Sequence, residues 1–314
     1  MADIYGIESK TLLRGYKDHL SNYHSWNQLS HADEYLIFAK NIGERLCIDE
    51  TCLSIGELYT IITNKAAKGK NGAIVAIIKG VKSDDIIRVL EEISSKLRKK
   101  VKEVTVDMAA NFHKVIRRCF RHAEIVIDRF HVQQLANDAL QDIRIKHRWE
   151  AIDKENKDKK EKTGRYSREI FSNGESRKQL LVRAKWALSQ SRDKWNEEQK
   201  ERIRVLFNLY PDLKEGYELV DEMRQIMNLK IEKTLARTKL AAWYNKMEEF
   251  DNKAFTTVAE TYKSHHDIIL NYFNNRSTNA CAESFNAKIK AFRADFRGVR
   301  DVKFFLYRLC KIYA

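Results

Sequence analysis

The chain carries one proline and 11 glycines in 314 residues. So little turn chemistry argues against a sandwich, a barrel, collagen or any Pro-rich scaffold. Cysteine is sparse too: Cys47, Cys52, Cys119, Cys281 and Cys310 form no paired CxxC, and their odd number argues against a disulfide framework. The longest apolar runs, such as the one inside Ala73–Ile78, fall far short of the ~18–20 residues a membrane span requires. The N-terminus lacks the basic-then-apolar layout of a secretory signal. Together these absences predict a soluble protein of a reducing, intracellular compartment.

What is abundant is core and positive charge. Hydrophobic residues make up 43% and aromatics 10%, ample for a packed interior, and the formal net charge is +14. A surplus of that size points to a polyanion partner, because each phosphate neutralised by Lys or Arg releases condensed counterions. The surplus is uneven. Lys96–Arg118 holds eight basic residues against two acidic, and Arg276–Lys311 nine against three. Lys146–Lys178, with eleven against seven, mixes both signs and reads as a solvated helix or mobile loop.

Residues 1–42 read as short helices, Ser9–Leu20 and Ala32–Ala39, forming an N-terminal cap on the adjoining domain. The pattern then switches to period two. Leu46–Asp49, Leu58–Thr63 and Ala73–Ile78 are candidate strands, the last two joined by the Lys/Gly/Asn-rich turn 64–72 as an antiparallel hairpin needs. Next come a helix over 83–97, a strand Glu103–Asp107, a helix Ala109–Phe120 and a strand Glu124–Asp128, an α/β layout in a mixed sheet. From Val132 to Asn274 nearly all is helical pattern: 132–149, 180–194, 197–209, 213–227, 231–250 and 255–273. Pro211 sits at a break between two of these. Two more helices fill Thr278–Ala314, separated near Gly298. In the first, Phe285, Ile289, Phe292 and Phe296 make a core-facing stripe, and Glu283 lies nearly opposite it, on the side of Asn286, Ala287 and Lys290.

Asp49, Asp107 and Asp128 each end an apolar strand. One such carboxylate is commonplace as a structural cap. Three on adjacent strands suit a hard, oxygen-preferring cation, since sites in open α/β sheets collect at strand ends. Two such ions can serve phosphodiester chemistry by activating the attacking oxygen and stabilising the leaving one.

Four segments carry a family resemblance: Cys47-Ile48-Asp49-Glu50-Thr51, Val104-Thr105-Val106-Asp107-Met108, Ile125-Val126-Ile127-Asp128-Arg129-Phe130-His131-Val132, and the run Ser277–Lys290 with Asn279, Glu283 and Asn286. With the closing Phe296-Arg297-Gly298-Val299-Arg300, the chain from about residue 43 onward resembles bacterial DDE transposases of insertion sequences, the IS-L-three group. The resemblance implies a ribonuclease-H-like mixed five-stranded sheet interrupted by a large all-α insertion. The core would be 43–131 with 275–314, the insertion 132–274, and 1–42 a short helical N-terminal segment. It implies Asp49, Asp107 and Glu283 as catalytic carboxylates binding two Mg²⁺ (or Mn²⁺) ions, with Asp128 and His131 in support. Lys288, Lys290, Arg297 and Arg300 are the expected phosphate contacts.

The implied partner is double-stranded DNA, both element ends and target, met as a homodimer in the bacterial cytoplasm at the nucleoid and away from membranes. Longer members carry a zinc-binding segment and a helix-turn-helix before the core, and no Cys/His cluster precedes Cys47 here. Recognition of the element's ends is therefore expected from a separate small protein, or the chain is truncated. A plain nuclease of the same fold, and a domesticated element that only binds DNA, are the alternatives. Among other residues, Cys47 and Cys52 read as buried thiols, and Trp149, Trp186, Trp195 and Trp243 as core anchors rather than base-stacking platforms. The pair His265-His266 reads as no site.

Overall fold

The computed structural model describes residues 6–54, 56–161, 167–295 and 299–314. The chain divides into two units, Met1–Asp128 with Ser277–Ala314, and Arg129–Arg276. These boundaries lie within three residues of those expected for core and insertion, but the N-terminal segment belongs to the first unit rather than standing apart.

Unit 1 is organised by strands β1 (Tyr35–Ile37), β2 (Arg45–Ser54), β3 (Glu57–Asn64), β4 (Ile74–Lys79), β5 (Glu103–Val106) and β6 (Glu124–Ile127). They form one sheet in the order β1-β4-β3-β2-β5-β6. The pairs β2–β3 and β3–β4 are antiparallel, β2–β5 and β5–β6 parallel. The β3–β4 connection reverses through Lys68 and Gly69, both with left-handed backbone.

The sheet has six strands, not five. Residues 35–37 were expected in a helix over Ala32–Ala39; instead they pair with β4, Tyr35 opposite Ile78. Leu36 is buried while its neighbours are half exposed, the alternation of a strand. The open edge of β4 supplies hydrogen bonds that a short helix could not outweigh.

Side chains alternate across the sheet, so Leu46, Ile48, Val104 and Val106 face one way. Beyond α1 (Ser9–Gly15) lie helices α2 (Ser83–Glu91), α3 (Ser95–Arg98) and α4 (Ala110–Cys119). Ile86, Val89 and Leu90 of α2 and Phe112, Val115 and Ile116 of α4 cover that face. The single helix expected over 83–97 is split because Ser94 adopts an extended conformation and starts α3 anew. Ser9–Leu20 likewise changes from α-helix to a π turn at Tyr16.

Unit 2 is all helical: α5 (Arg129–Glu161), α6 (Arg177–Arg183), α7 (Lys185–Leu188), α8 (Glu197–Leu209), α9 (Pro211–Asn228), α10 (Lys233–Glu249), α11 (Lys253–Ser264), α12 (His266–Leu270) and α13 (Tyr272–Asn275). Pro211 opens α9, where its missing N–H costs nothing. Trp243 is buried and donates its indole N–H to the Leu219 carbonyl at 2.8 Å.

Three expectations fail here. The helix expected over 255–273 breaks at His265, whose ring sits 2.8 Å from the Ser264 hydroxyl and 2.9 Å from the Thr261 carbonyl, competing with helix propagation. The one expected over 180–194 ends at Leu188. Trp149 and Trp186 are 57% and 69% exposed instead of core anchors; Arg148 and Lys185 lie over their rings, so each is held by a cation–π contact at the surface. Among the described residues no helix is long and apolar enough to cross a membrane.

The chain re-enters unit 1 at Ser277 and forms α14 (Ala280–Asp295) and α15 (Val302–Tyr313). Phe285 and Ile289 of α14, with Phe305, Leu306 and Leu309 of α15, bury the second face of the sheet against Leu53, Tyr59, Ile61 and Ile77. Phe292 packs beside them, and Phe296 lies outside the described residues. Tyr23 and Trp26 meet Phe304 and Tyr307 of α15 edge to face, which ties the N-terminal segment to the core.

Candidate active site

The parallel register aligns three aspartates, two just past strand ends and one within a strand. Asp49, expected to end a strand, is the fifth of the ten residues of β2 and pairs with Ile61, because β3 carries the ladder on to Ser54. Cys47 lies opposite Thr105 and Val106 opposite Ile127. Continued past the last rungs, that register sets Asp49 opposite Asp107 and Asp107 opposite Asp128, on neighbouring strands roughly 4.8 Å apart. Asp49 and Asp128 both reach the face covered by α14. The Asp49 carboxylate accepts the Asn286 side-chain amide at 2.8 Å and the Glu50 N–H at 2.8 Å. Asp107 accepts the Ala109 N–H at 2.9 Å, just ahead of α4. Asp128 is 2% exposed and accepts the Asn279 N–H at 3.0 Å.

That last bond bears directly on Glu283. Asn279 precedes α14, and its carbonyl accepts the Glu283 N–H at 3.0 Å. A two-step backbone link thus runs from the end of β6 to the expected third catalytic acid. One turn later Asn286 links the same helix to Asp49. Glu283 itself is exposed, as its place opposite the Phe285–Ile289 stripe implies.

A second tie fixes the re-entry point. Glu103, 2% exposed, accepts the Ser277 hydroxyl at 2.5 Å and the Lys65 ammonium at 3.1 Å, while Lys65 also donates to the Thr105 hydroxyl. A buried carboxylate needs such partners. Nearby, burial pushes the Cys47 thiol up to about 12, so it is an inert packing group, whereas Cys52 is exposed because the strand turns it outward. Burial, then the neighbouring charge of Asp107, holds the Glu50 carboxyl above its ordinary value.

Among the described residues, polar atoms without hydrogen-bond partners are found here as well as at Thr63, Gln133 and Arg148. Here Asp128 Oδ2 and both amide atoms of Asn279 are buried with no hydrogen bond. Each costs about 1–3 kcal/mol.

For a hard cation the donor chemistry fits, being carboxylate oxygens on adjacent strands. The described residues nevertheless contain no group of three His, Cys, Asp or Glu side chains placed to hold a metal ion. Glu283 is therefore not gathered with Asp49 and Asp107 into a triad; like charges repel, and its carboxylate stays in solvent.

The other expected residues are dispersed. His131 lies in the first turn of α5, in unit 2, in edge contact with Phe130. Lys288 is half buried, donating to the Gly69 carbonyl at 2.7 Å, a tie between α14 and the β3–β4 turn. Lys290 and Arg300 are exposed, and Arg297 lies outside the described residues. Helical periodicity puts Asn286 beside Glu283 but does not reveal its bond to Asp49, which depends on how α14 seats on β2.

A family model described as a transposase, that of the DDE transposases of the IS-L-three group, matches residues 46–309. The transposase for insertion sequence element IS1001 from Bordetella parapertussis is 22% identical over 268 residues, which cover 85% of this chain and 60% of the relative. The chain thus spans about 60% of the length of the curated relative it matches. No solved structure matches.

Proposed function

The chain belongs to the DDE transposase family of the IS-L-three group, and from that premise we propose that it is the catalytic protein that cuts DNA at the ends of an insertion sequence and joins them to a target. The observation carrying this reading is the alignment of Asp49, Asp107 and Asp128 on β2, β5 and β6, with α14 fastened to two of them through Asn286 and Asn279. The order β4-β3-β2-β5-β6, three antiparallel strands then two parallel ones, supports a ribonuclease-H-like core. Unit 2 would be the helical insertion, since in sequence it falls between β6 and α14.

Asp49 and Asp107 would hold the Mg²⁺ or Mn²⁺ ions, and Glu283 would complete the set from α14. Bound there, the ions supply activation of the attacking oxygen and stabilisation of the leaving one. The protein's own part is positional. Asn286 fixes one oxygen of Asp49, and Asp128 holds the backbone at the start of α14, one turn before Glu283. His131 is a supporting residue of the same signature. Lys290, Arg297 and Arg300 would neutralise phosphates; Lys288, already tied to Gly69, would do so only by exchanging that bond.

Cutting comes first, by water at the element's end; the freed 3′-hydroxyl then attacks target DNA in line, with no covalent protein intermediate. Joining two ends calls for two catalytic centres, hence a homodimer on DNA in the cytoplasm, at the nucleoid.

The test offers the chain a pre-nicked 3′ end, a target duplex and Mg²⁺. Strand joining that disappears in Asp107→Asn, with duplex binding retained, supports the proposal. Cleavage without joining reduces it to a nuclease, and DNA binding without metal-dependent turnover reduces it to a binding protein.

A further inference from the structure

The cations of the stretch Lys96–Arg118 take no part in the site above. In the fold its two acidic members are withdrawn from the surface it forms: Glu103 is buried, and Asp107 sits at the other end of β5. What remains outside is almost wholly cationic. Lys96, Lys99, Lys100, Arg117 and Arg121 are all exposed. Among the described residues none of the five has a carboxylate within salt-bridge distance, unlike Lys102 with Glu44, Lys114 with Asp84 and Arg118 with Glu91.

Two of the five, Lys99 and Arg121, share one groove because the backbone holds their segments together, and Lys96 and Lys100 flank Lys99 in the chain. Arg98 donates to the Ile93 carbonyl at 2.9 Å and to the Cys119 carbonyl at 3.1 Å, so α3 is clasped to the end of α4. The Glu124 N–H bonds the Lys102 carbonyl at 2.8 Å, joining the segment that enters β5 to the one that enters β6. A shallow groove results, lined by Arg98, Lys99, Arg118, Arg121 and His122 with Ser95 and Cys119; its one carboxylate, Glu91, is neutralised by Arg118 at 2.8 Å. Cations in a last helical turn offset the helix dipole, but that accounts for about one charge per helix, and Lys99, Lys100 and Arg121 lie beyond the ends of α3 and α4.

We propose that this surface binds the phosphate backbone of a duplex DNA segment other than the one at the carboxylates. The patch lies at the N-terminal ends of β5 and β6, and Asp107 and Asp128 at their C-terminal ends. Strands of four residues, roughly 13 Å long, separate the two, and the two look away from each other: α3 and α4 cover one face of the sheet, whereas Asp49 and Asp128 face α14 on the other. Duplex DNA has a persistence length of about 50 nm and does not fold around an edge that short. A duplex at the patch is therefore a second molecule, or a distant part of the first. The contacts are to phosphate, so this surface sets affinity and not sequence choice. The proposal rests on the transposase reading only for the choice of duplex DNA as ligand.

The experiment measures binding without metal, so it is independent of catalysis. Fluorescence anisotropy of a labelled duplex of arbitrary sequence would be followed over a salt series for the full chain and for the triple variant Lys99→Gln, Lys100→Gln, Arg121→Gln. The variant is expected to bind at least tenfold more weakly, its log–log salt slope reduced by roughly 0.9 for each lost contact. A charge-matched control, Lys154→Gln, Lys157→Gln, Lys160→Gln on α5, should lose less than threefold. Lysine-modification footprinting of the unaltered chain should show Lys96, Lys99 and Lys100 protected by duplex. Unchanged affinity and slope, equal losses in variant and control, or absent protection would each overturn the proposal. Binding through the patch in a chain with no metal-dependent turnover would leave this surface standing while removing the transposase reading.

Discussion

The acids buried as structure and the aspartates of the candidate site are answered in opposite ways, although unit 1 also holds an acid of the first kind, Glu103 paired with Lys65. In the helical unit Glu175 is buried and surrounded by guanidinium: Arg202 contacts it at 2.8 Å and Arg183 at 2.8 Å. Burial would raise its carboxyl, but these two hydrogen-bonded arginines outweigh that and hold it below its ordinary value. Asp221 is likewise paired with Arg224. In the sheet unit the aspartates of the candidate site are met by amide N–H groups from Asn286, Ala109 and Asn279. Among the described residues no lysine or arginine of unit 1 forms an ion pair with Asp107 or Asp128. An acid answered by arginine is finished as structure. An acid held by amides is oriented while keeping its charge, which is what a cation-binding site requires.

The contrast can be broken most sharply at Asp107. Asp107→Asn is expected to lower Mg²⁺-dependent cleavage by about three orders of magnitude, ~4 kcal/mol of barrier, with an unchanged or slightly raised melting temperature. A clear loss of thermal stability would show it to be structural instead. Glu175→Gln should do the converse, costing ~3 kcal/mol by stranding Arg202, read as a fall of roughly 6–12 °C in melting temperature, with cleavage per folded molecule unchanged.

Asn286→Leu should reduce cleavage ~10-fold with little change in melting, since it orients a carboxylate rather than filling the core. Partial rescue by Asn286→Gln would confirm an amide role; equal loss of stability and activity would refute it.

The smallest effect is the pH dependence, where the two units differ in sign. Glu175 has a folded value below its unfolded one, so its contribution is complete above about pH 4.5 and is lost as pH falls through the folded value. Glu50 has a folded value above its unfolded one, so it weakens the fold as pH rises from about 4.5, and Glu50→Gln should raise the neutral-pH melting temperature slightly. Thermal melts of both variants between pH 3 and 7 separate the signs.

Much of this was legible in the chain itself. Apolar runs ending in Asp located β5 and β6, because a short buried strand has one signature whatever surrounds it, but marked only the first half of β2, which β3 extends to Ser54. The Phe285–Ile289 stripe likewise oriented α14. What escaped depends on partners distant in sequence. Tyr35–Ile37 becomes a strand because β4 offers an edge, Trp149 and Trp186 stay outside because cations stack on them, and Lys288 is spent on a carbonyl of the β3–β4 turn. The link from Asn286 to Asp49 belongs to the same class: 237 residues separate them, and no local pattern spans that gap.

The bond between Asp128 and Asn279 clasps the chain where it leaves the sheet and where it returns. Everything between those points is, topologically, a loop whose mouth is already shut by its base. Such an excursion can lengthen, shorten or be exchanged over evolutionary time without re-registering a single strand, so variation among relatives should concentrate there and spare the clasp.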